Sequence, residues 1–253
     1  MSRNVDLLQK AEEEHQQEIE KNAQRLTGSA PVTNSATADE VLAIDEQLDV
    51  FTREQIAKLA HTVVASQRKA VMFTGLERSV GCTWITAHVS KLLSSHGRGS
   101  VCLVDGNLRF PGLHDFFGIS NHHGLSDAIL DPGPLHHFVR QLPDSKLWFL
   151  SCGSSEKSAQ ALISADRIRD RIQQARSEFD FVLVDSAPLS VYTDALTLAR
   201  ASEGVVLVLR ANVSRREAAQ QAVNDARAAN INLLGVVLNQ RTFPVPKAIY
   251  DRL

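Results

Sequence analysis

Six short apolar runs recur along this chain, and helical stretches separate most of them. The runs read AVMFTG, SVCLVDG, KLWFLSCG, FDFVLVDSAP, GVVLVLRAN and LLGVVLNQR, and each ends in small or polar residues. Strands that are apolar on both faces and alternate with helices are typical of a parallel sheet covered on both sides. The sequence therefore predicts an α/β, doubly wound, mostly parallel sheet with helices on both faces.

The intervening stretches predict the helices of this fold. Helical patterns cover residues 83–95, 166–178 and 215–230, and a further helix is expected from Thr52, the candidate N-cap. The SRRE segment at residues 214–217 has the spacing of a capping box, which places a helix start there.

The first 45 residues differ in composition from the rest. They begin with a stretch rich in Glu, Gln and Lys, and the small, polar segment TGSAPVTNSAT follows. We expect residues 1–45 to form a polar N-terminal arm and linker, helical or disordered. Residues 46–253 are expected to form the folded domain.

Charge and hydropathy exclude several classes of protein. The formal net charge is -2 at pH 7 and the arginines are scattered, so no basic stripe predicts nucleic acid as a partner. No apolar stretch reaches the ~18 residues of a membrane span, and the N-terminus lacks the apolar core of a signal peptide. The three cysteines have neither disulfide nor zinc spacing. These features predict a cytoplasmic protein without a direct membrane span.

A glycine-containing loop, GLERSVGCT at residues 75–83, follows the first apolar run. In a phosphate loop, backbone N–H groups cradle the phosphates, a Lys neutralises them and a Ser/Thr hydroxyl meets Mg²⁺. Gly75, Gly81 and Thr83 fit that pattern, whereas Cys82 stands where the Lys would be. Taken alone, the loop could also be a βα turn that binds no ligand.

Acidic residues follow two further apolar runs. Asp105 precedes Asn107 and Arg109 in VCLVDGNLR, and Asp185 follows four apolar residues in FVLVDSAP. Asp105 can hold Mg²⁺ directly or through water, and Asp185 has the form of a Walker B acid, which orients Mg²⁺ through water. Asn107 cannot act as a general base. An Asp that ends a strand is commonly a cap or turn residue, but the three motifs in this order predict a nucleotide site.

Together these segments resemble the cytoplasmic domain of bacterial tyrosine kinases, the capsular and exopolysaccharide regulators of the ParA/MinD-like P-loop class. The likeness covers roughly residues 52–253. It rests on GLERSVGCT, VDGNLRFPGLHDFFG with NHHGLSDAIL, FDFVLVDSAP with YTDALTLA, and GVVLVLRANVSRREA through LLGVVLNQR. The resemblance implies a P-loop NTPase-like fold, with ATP and Mg²⁺ as cofactors if binding is retained.

The resemblance assigns roles to individual positions. Thr83 would supply the Mg²⁺-binding hydroxyl, and Asp105 and Asp185 would be the acids associated with the metal. Arg109 would belong to the Walker A′ motif, and Asn239 would lie near the nucleotide base.

The departures from the family pattern concern charge. Cys82 replaces the Lys, and Asn107 replaces the second Asp of Walker A′, which is often regarded as the catalytic base. Arg78 or Arg109 could supply a substitute cation. Glu77 works against phosphate binding because it adds an anion to the loop.

Two further family features are altered. The helix that carries an E-x-x-R-x-x-R ring-assembly motif reads Glu54, Ala57 and Ala60 here, so homo-oligomerisation is left open. The C-terminal tyrosine cluster is missing, since the chain holds only Tyr192 and Tyr250. Tyr250 is the candidate phospho-acceptor.

Three functions follow as hypotheses. We expect a catalytically impaired, pseudokinase-like regulator of exopolysaccharide or capsule biosynthesis, recruited to the inner membrane face by a membrane polysaccharide co-polymerase or chain-length protein. The first alternative is an active Mg²⁺-ATP-dependent tyrosine autokinase or ATPase. The second is a ParA/MinD-like positioning ATPase, which is disfavoured because the signature Lys of that family aligns with Glu77.

Overall fold

The computed structural model describes residues 48–95, 99–131, 133–143, 145–154 and 165–241. The predicted polar arm at residues 1–45 and the candidate acceptor Tyr250 lie outside the described residues, and both stay predictions. No helix in the described part of the chain is long and apolar enough to cross a bilayer.

Helices and strands alternate along the described chain as the hydropathy pattern predicts. In chain order they are α1 Val50–Ala65, β1 Ala70–Gly75, α2 Cys82–Ser95, β2 Val101–Asp105, α3 Leu113–Phe117, α4 Leu125–Leu130, a 3₁₀ helix Leu135–His137, β3 Arg140–Gln141, β4 Leu147–Leu150, α5 Ala165–Glu178, β5 Phe181–Ser186, α6 Thr193–Ala201, β6 Gly204–Arg210, α7 Arg216–Ala228 and β7 Leu233–Asn239.

The strands form one sheet in the order β3-β4-β2-β5-β1-β6-β7. All the pairings are parallel except that of β3 with β4, which is antiparallel. The predicted doubly wound α/β fold is therefore confirmed. The sequence pattern missed β3, because its two exposed residues, Arg140 and Gln141, carry no apolar alternation.

Apolar side chains of the strands point alternately into two buried layers. Met72 of β1 lies in the layer formed with α5 and α6, and its neighbour Phe73 lies in the layer formed with α1 and α2. Burying an aliphatic or aromatic side chain of this size contributes roughly 1.5–3 kcal/mol. Because both faces are covered, the central strands can remain apolar throughout, and polar residues collect where the strands end.

The first described helix begins earlier than the sequence predicts. It starts at Val50, and its N-cap is Asp49, whose carboxylate accepts hydrogen bonds from the N–H of Thr52 at 3.0 Å and from its hydroxyl at 2.5 Å. The prediction of Thr52 as the N-cap is therefore wrong. Asp49 satisfies an N–H of the first turn that has no partner within the helix.

Candidate nucleotide-binding site

The loops that follow β1, β2 and β5 enclose a cleft at the carboxyl edge of the sheet. Because the strands are parallel, Gly75, Asp105 and Ser186 end at the same edge. The cleft has a volume of about 410 Å³, and its lining includes most of the loop at residues 75–83 together with Asn107. The fold thus brings the three sequence motifs to one place.

The backbone of the loop at residues 75–83 requires glycine at two positions. Gly81 has φ +84°, and a Cβ there would collide with the side-chain amide of Asn239. A Cβ at Gly75 would lie 2.6 Å from the carbonyl oxygen of Glu77. Asn239, at the end of β7, donates its Nδ2–H to the carbonyl oxygen of Val80 at 2.8 Å. Asn239 therefore holds the loop in place through this hydrogen bond, although it does not itself line the cleft.

Thr83 connects the cleft to a buried carboxylate. It lines the cleft, and its Oγ1 donates a hydrogen bond of 2.6 Å to Oδ2 of Asp185. Asp185 is fully buried, and its Oδ1 has no hydrogen-bond partner among the described residues. A hydroxyl beside a carboxylate with an unsatisfied oxygen is a donor set that fits Mg²⁺. Thr83 and Asp185 are the residues that would hold it.

Asp105 organises the backbone of the loop that follows β2. Its Oδ2 accepts the N–H groups of Gly112 at 3.2 Å and Leu113 at 3.1 Å, and its Oδ1 accepts the N–H of Asn107 at 3.2 Å. Three backbone donors hold this carboxylate below the cleft, where it is fully buried. Asp105 can therefore act on a bound cation chiefly through its charge.

The two buried acids influence each other's protonation. Asp105 and Asp185 lie opposite one another in the β2–β5 register. Burial, and then the neighbouring charge of Asp185, raise the pKa of Asp105 to about 8. Burial raises the pKa of Asp185 to about 6, against the lowering effect of its hydrogen bond from Thr83. At neutral pH the pair therefore retains a proton, which a bound divalent cation would displace.

Cys82 contributes no positive charge to the loop. Cys82 is 9% exposed, and burial followed by the negative charge of Asp185 raises the pKa of its thiol well above its ordinary value. The thiol therefore stays protonated and unreactive. The position that holds a Lys in a phosphate loop is occupied by a neutral, buried group.

Arg78 is the one Arg or Lys side chain among the described residues that line the cleft. Its guanidinium carbon lies 3.6 Å from the centroid of the Phe110 ring, which is a cation–π contact. Phe110 also lines the cleft and is 42% exposed. The ring thus holds a cation in the lining of the cleft.

Arg109 is not among the described residues that line the cleft, and it pairs with Asp194 instead. Its Nε and one terminal nitrogen donate to Oδ1 of Asp194 at 3.1 and 3.0 Å, and its guanidinium carbon lies 4.7 Å from the Tyr192 ring centroid. Asp194 is buried, so this ion pair is costly to break. Of the two arginines considered as substitute cations, only Arg78 lines the cleft as described.

Three aromatic residues of the cleft were missed by sequence reasoning. Trp84, Phe110 and Phe116 all line it, and Trp84 stacks on His88 with ring centroids 3.9 Å apart. A signal existed, since Trp84 directly follows Thr83 and both phenylalanines lie in the Walker A′ segment. Aromatic residues in or beside a motif are easily assigned to the core when the position of the motif in the fold is unknown.

Glu77 is fixed by a residue from a distant loop. The hydroxyl of Ser214 donates to its carboxylate at 2.7 Å and accepts the N–H of Arg210 at 2.9 Å. The predicted capping box of Ser214 is therefore wrong, because the N-cap of α7 is Arg215 and Ser214 bonds to other groups. An anion consequently lines the cleft beside Arg78.

Comparison with known proteins finds relatives among bacterial tyrosine-protein kinases. The Escherichia coli (strain K12) tyrosine-protein kinase Etk is 23% identical over 201 residues, which are 78% of this chain and 28% of Etk. The chain therefore spans about a quarter of the length of that relative. The Bacillus subtilis tyrosine-protein kinase YwqD is 26% identical over 70% of this chain and 74% of its own length. No protein-family model matches.

Solved structures share the fold. The kinase domain of Escherichia coli Etk superposes with a TM-score of 0.70 and 20% identity, covering 87% of this chain and 89% of that domain. The septum site-determining protein MinD from Pyrococcus horikoshii OT3, complexed with Mg-ADP, gives a TM-score of 0.59 and 21% identity over 72% of this chain and 76% of MinD. At these identities the likeness supports the fold alone.

Proposed function

We propose, from the premise that this chain is a homologue of the bacterial tyrosine-protein kinases, that it is a catalytically impaired, pseudokinase-like member of that group. Its role is regulatory contact in exopolysaccharide or capsule biosynthesis. The partner proposed from the sequence resemblance is a membrane polysaccharide co-polymerase or chain-length protein, which would recruit the chain to the inner membrane face.

The observation that carries this proposal is the state of Cys82. Phosphoryl transfer depends on positioning and on stabilising charge, and the Lys of the loop is a large part of that charge. Here a buried thiol with a raised pKa takes its place. Losing one transition-state donor costs about 3 kcal/mol, or 10²-fold in rate.

Asn107 weakens catalysis independently of the loop. Its side-chain oxygen accepts the N–H of Phe110 at 3.1 Å, so the amide holds the turn after β2. An amide cannot accept the proton of an attacking hydroxyl, and no base replaces it at this position. The residues at these two motif positions, Cys82 and Asn107, therefore supply neither the loop cation nor the general base of an active kinase.

The metal-binding part of the site is better preserved. The Thr83 hydroxyl and the unsatisfied oxygen of Asp185 suit Mg²⁺, and a cleft of about 410 Å³ lies above them. When bound, Mg²⁺-ATP would place its phosphates against the loop at residues 75–83. Weak nucleotide binding without efficient turnover is the state that these residues support.

A second candidate function is an active autokinase, and the position of Arg78 favours it. The guanidinium carbon 3.6 Å from the Phe110 centroid places a cation in the cleft, where it can take over part of the role of the missing Lys. Tyr250 would be the acceptor. The resemblance to MinD concerns the fold and supports no positioning role.

Turnover measurements on the full-length chain distinguish the candidates. ATP hydrolysis and autophosphorylation are measured with Mg²⁺ for the wild type and for Asp185→Asn, which retains the shape of the site. We expect equal background rates in both. A wild-type rate that Asp185→Asn abolishes would refute impairment, and phosphorylation that Tyr250→Phe removes would establish the autokinase.

A further inference from the structure

A second polar pocket lies apart from the nucleotide cleft, at the antiparallel edge of the sheet. Its volume is about 210 Å³, and it lies between the loop after α3, the 3₁₀ helix, β3 and β4. Its lining shares no residue with that of the nucleotide cleft. A ligand in this pocket would therefore contact none of the described residues that line the nucleotide cleft.

The charged and titratable side chains of this pocket are all basic. They are His122, His123, His137 and Arg140, and neither Asp nor Glu is among the described lining residues. Arg140 forms no ion pair among the described residues. Arg presents a fork of N–H donors that matches phosphate oxygens, and histidine adds donors and charge as pH falls.

The loop that carries two of the histidines is held firmly in place. The hydroxyl of Ser151 donates to the carbonyl oxygen of His123 at 2.6 Å, and the N–H of Gly153 donates to Oδ1 of Asn121 at 2.9 Å. A Cβ at Gly124 would collide with the backbone of Ser151, so the loop packs directly on the chain that follows β4. The two histidines are consequently presented on a fixed backbone.

The floor of the pocket is apolar. Phe138 and Phe149 line it together with Ile119 and Val139. Phe149 belongs to the buried core, so this wall is part of the rigid sheet. A lining that combines basic and apolar side chains suits a ligand with an anionic head and an apolar body.

Metal binding does not account for the cluster. Among the described residues, no group of three His, Cys, Asp or Glu side chains could hold a metal ion. An anionic ligand remains as the chemistry that three histidines and an arginine fit.

We infer that this pocket, lined by His122, His123, His137 and Arg140, binds the phosphoryl group of a small phosphate monoester. Arg140 binds two phosphate oxygens, and the histidines donate to the remaining ones. The apolar floor receives the organic part of the ligand.

Neighbouring groups shape the pH dependence of this site. Nδ1 of His123 lies 3.6 Å from Oδ1 of Asp127 on α4, and His136 packs against His137 with ring centroids 4.4 Å apart. Asp127 and His136 are the charged or titratable neighbours that these two contacts place beside His123 and His137. Since neither Asp nor Glu is among the described lining residues, we expect an anion to bind more tightly at the lower pH, where imidazole side chains carry more positive charge.

Histidine side-chain NMR of the full-length protein tests the inference. Inorganic phosphate and phenyl phosphate are titrated at pH 6.5 and 8.0 at constant ionic strength, with resonances assigned from single His→Gln variants. We expect saturable shifts of His122, His123 and His137, with weaker binding at pH 8.0. Tighter binding of phenyl phosphate would show that the apolar floor contributes.

Arg140→Gln provides the mutational test, and Arg200→Gln is the matched control, because Arg200 is exposed on α6 away from the pocket. Arg140→Gln should weaken binding at least fivefold, and Arg200→Gln should leave it unchanged. Shifts that do not saturate, or equal affinity in Arg140→Gln, would overturn the inference. A response confined to His88, which stacks on Trp84 of the nucleotide cleft, would place the phosphate there and overturn it too.

Discussion

Thr83 and Asp185 lie 102 residues apart in sequence, and the Thr83 hydroxyl donates a 2.6 Å hydrogen bond to the buried Asp185 carboxylate. This contact joins the start of α2 to the end of β5. These are the two residues proposed to hold Mg²⁺, and they lie beside a loop in which Cys82 stands where a phosphate loop would carry its Lys.

Restoring the loop cation should restore nucleotide affinity. Cys82→Lys adds an ammonium group next to the place where the phosphates would lie and close to the negative charge of Asp185. We expect this variant to bind Mg²⁺-ATP at least tenfold more tightly, or by about 1.4 kcal/mol. Calorimetry on the wild type and the variant measures it. Cys82→Met is the control, since it adds volume without charge and should bring no gain. Equal affinity of the wild type and Cys82→Lys would mean that another cation already serves the site.

Restoring the base as well should restore chemistry. Asn107→Asp can still accept the N–H of Phe110, so the turn after β2 should persist. In the Cys82→Lys background we expect ATP turnover at least tenfold above that of the wild type, because a general base contributes 10²–10⁴-fold in favourable geometry. ADP release in a coupled assay is the measurement. A wild type as fast as the double variant would contradict the proposed impairment.

The stability of the fold should fall as pH rises towards 8. The ordinary Asp pKa is 3.8, whereas burial raises the pKa of Asp105 to about 8 and that of Asp185 to about 6. Between these values the folded state binds more protons than the unfolded state, so the free energy of unfolding decreases with increasing pH. The contribution is fully present below about pH 4 and is lost as pH rises through about 8.

Urea unfolding at pH 5.5, 7 and 8.5 measures this dependence. Asp105→Asn is the matched variant, because its amide oxygen can still accept the N–H groups of Gly112 and Leu113. The difference between the wild type and this variant isolates Asp105 from the other titrating groups, and Mg²⁺ should reduce it. A wild-type stability that rises with pH relative to Asp105→Asn would refute the assignment.

Phe110 should matter for nucleotide affinity more than for stability. It is 42% exposed, and its ring positions the Arg78 guanidinium 3.6 Å from the ring centroid. An exposed cation–π contact is worth about 0.5–1 kcal/mol, so Phe110→Ala should weaken Mg²⁺-ATP binding about two- to fivefold in the Cys82→Lys background. A double-mutant cycle with Phe110→Ala, Arg78→Gln and the variant that carries both changes measures the coupling between Phe110 and Arg78 in Mg²⁺-ATP binding. Additive effects would show that the two residues act separately.

Gly81 should not tolerate a side chain. Its φ of +84° disfavours L residues, and a Cβ would collide with the Asn239 amide, so Gly81→Ala should cost about 1–3 kcal/mol of stability. Adding Asn239→Ala removes the collision but not the φ strain, and should recover part of the loss. Gly235→Ala is the control, because a Cβ there meets nothing within 4 Å. The midpoint of urea-induced unfolding is measured for each variant. Equal stability of Gly81→Ala and Gly235→Ala would contradict the prediction.

The local hydropathy pattern of the sequence was sufficient to predict most strands of the sheet and the motif residues at their ends. The six apolar runs became β1, β2, β4, β5, β6 and β7, because continuous burial on both faces leaves a strong signal in composition. Strand β3 left no such signal, since Arg140 and Gln141 are exposed and pair with β4 only through the backbone. The helix start at Asp49 and the contacts of Ser214 likewise depended on hydrogen bonds that propensity does not encode.

The sequence by itself determined which residues stand at the motif positions, and it predicted a P-loop type of site without its Lys, because residue identity at Cys82 and Asn107 requires no coordinates. Tertiary structure alone decided which arginine faces the cleft. Arg78 lines it on Phe110, whereas Arg109 is bound to Asp194, a partner 85 residues away. The physical reason is that charge acts through distance and burial, and both are set by how the distant strands and helices pack.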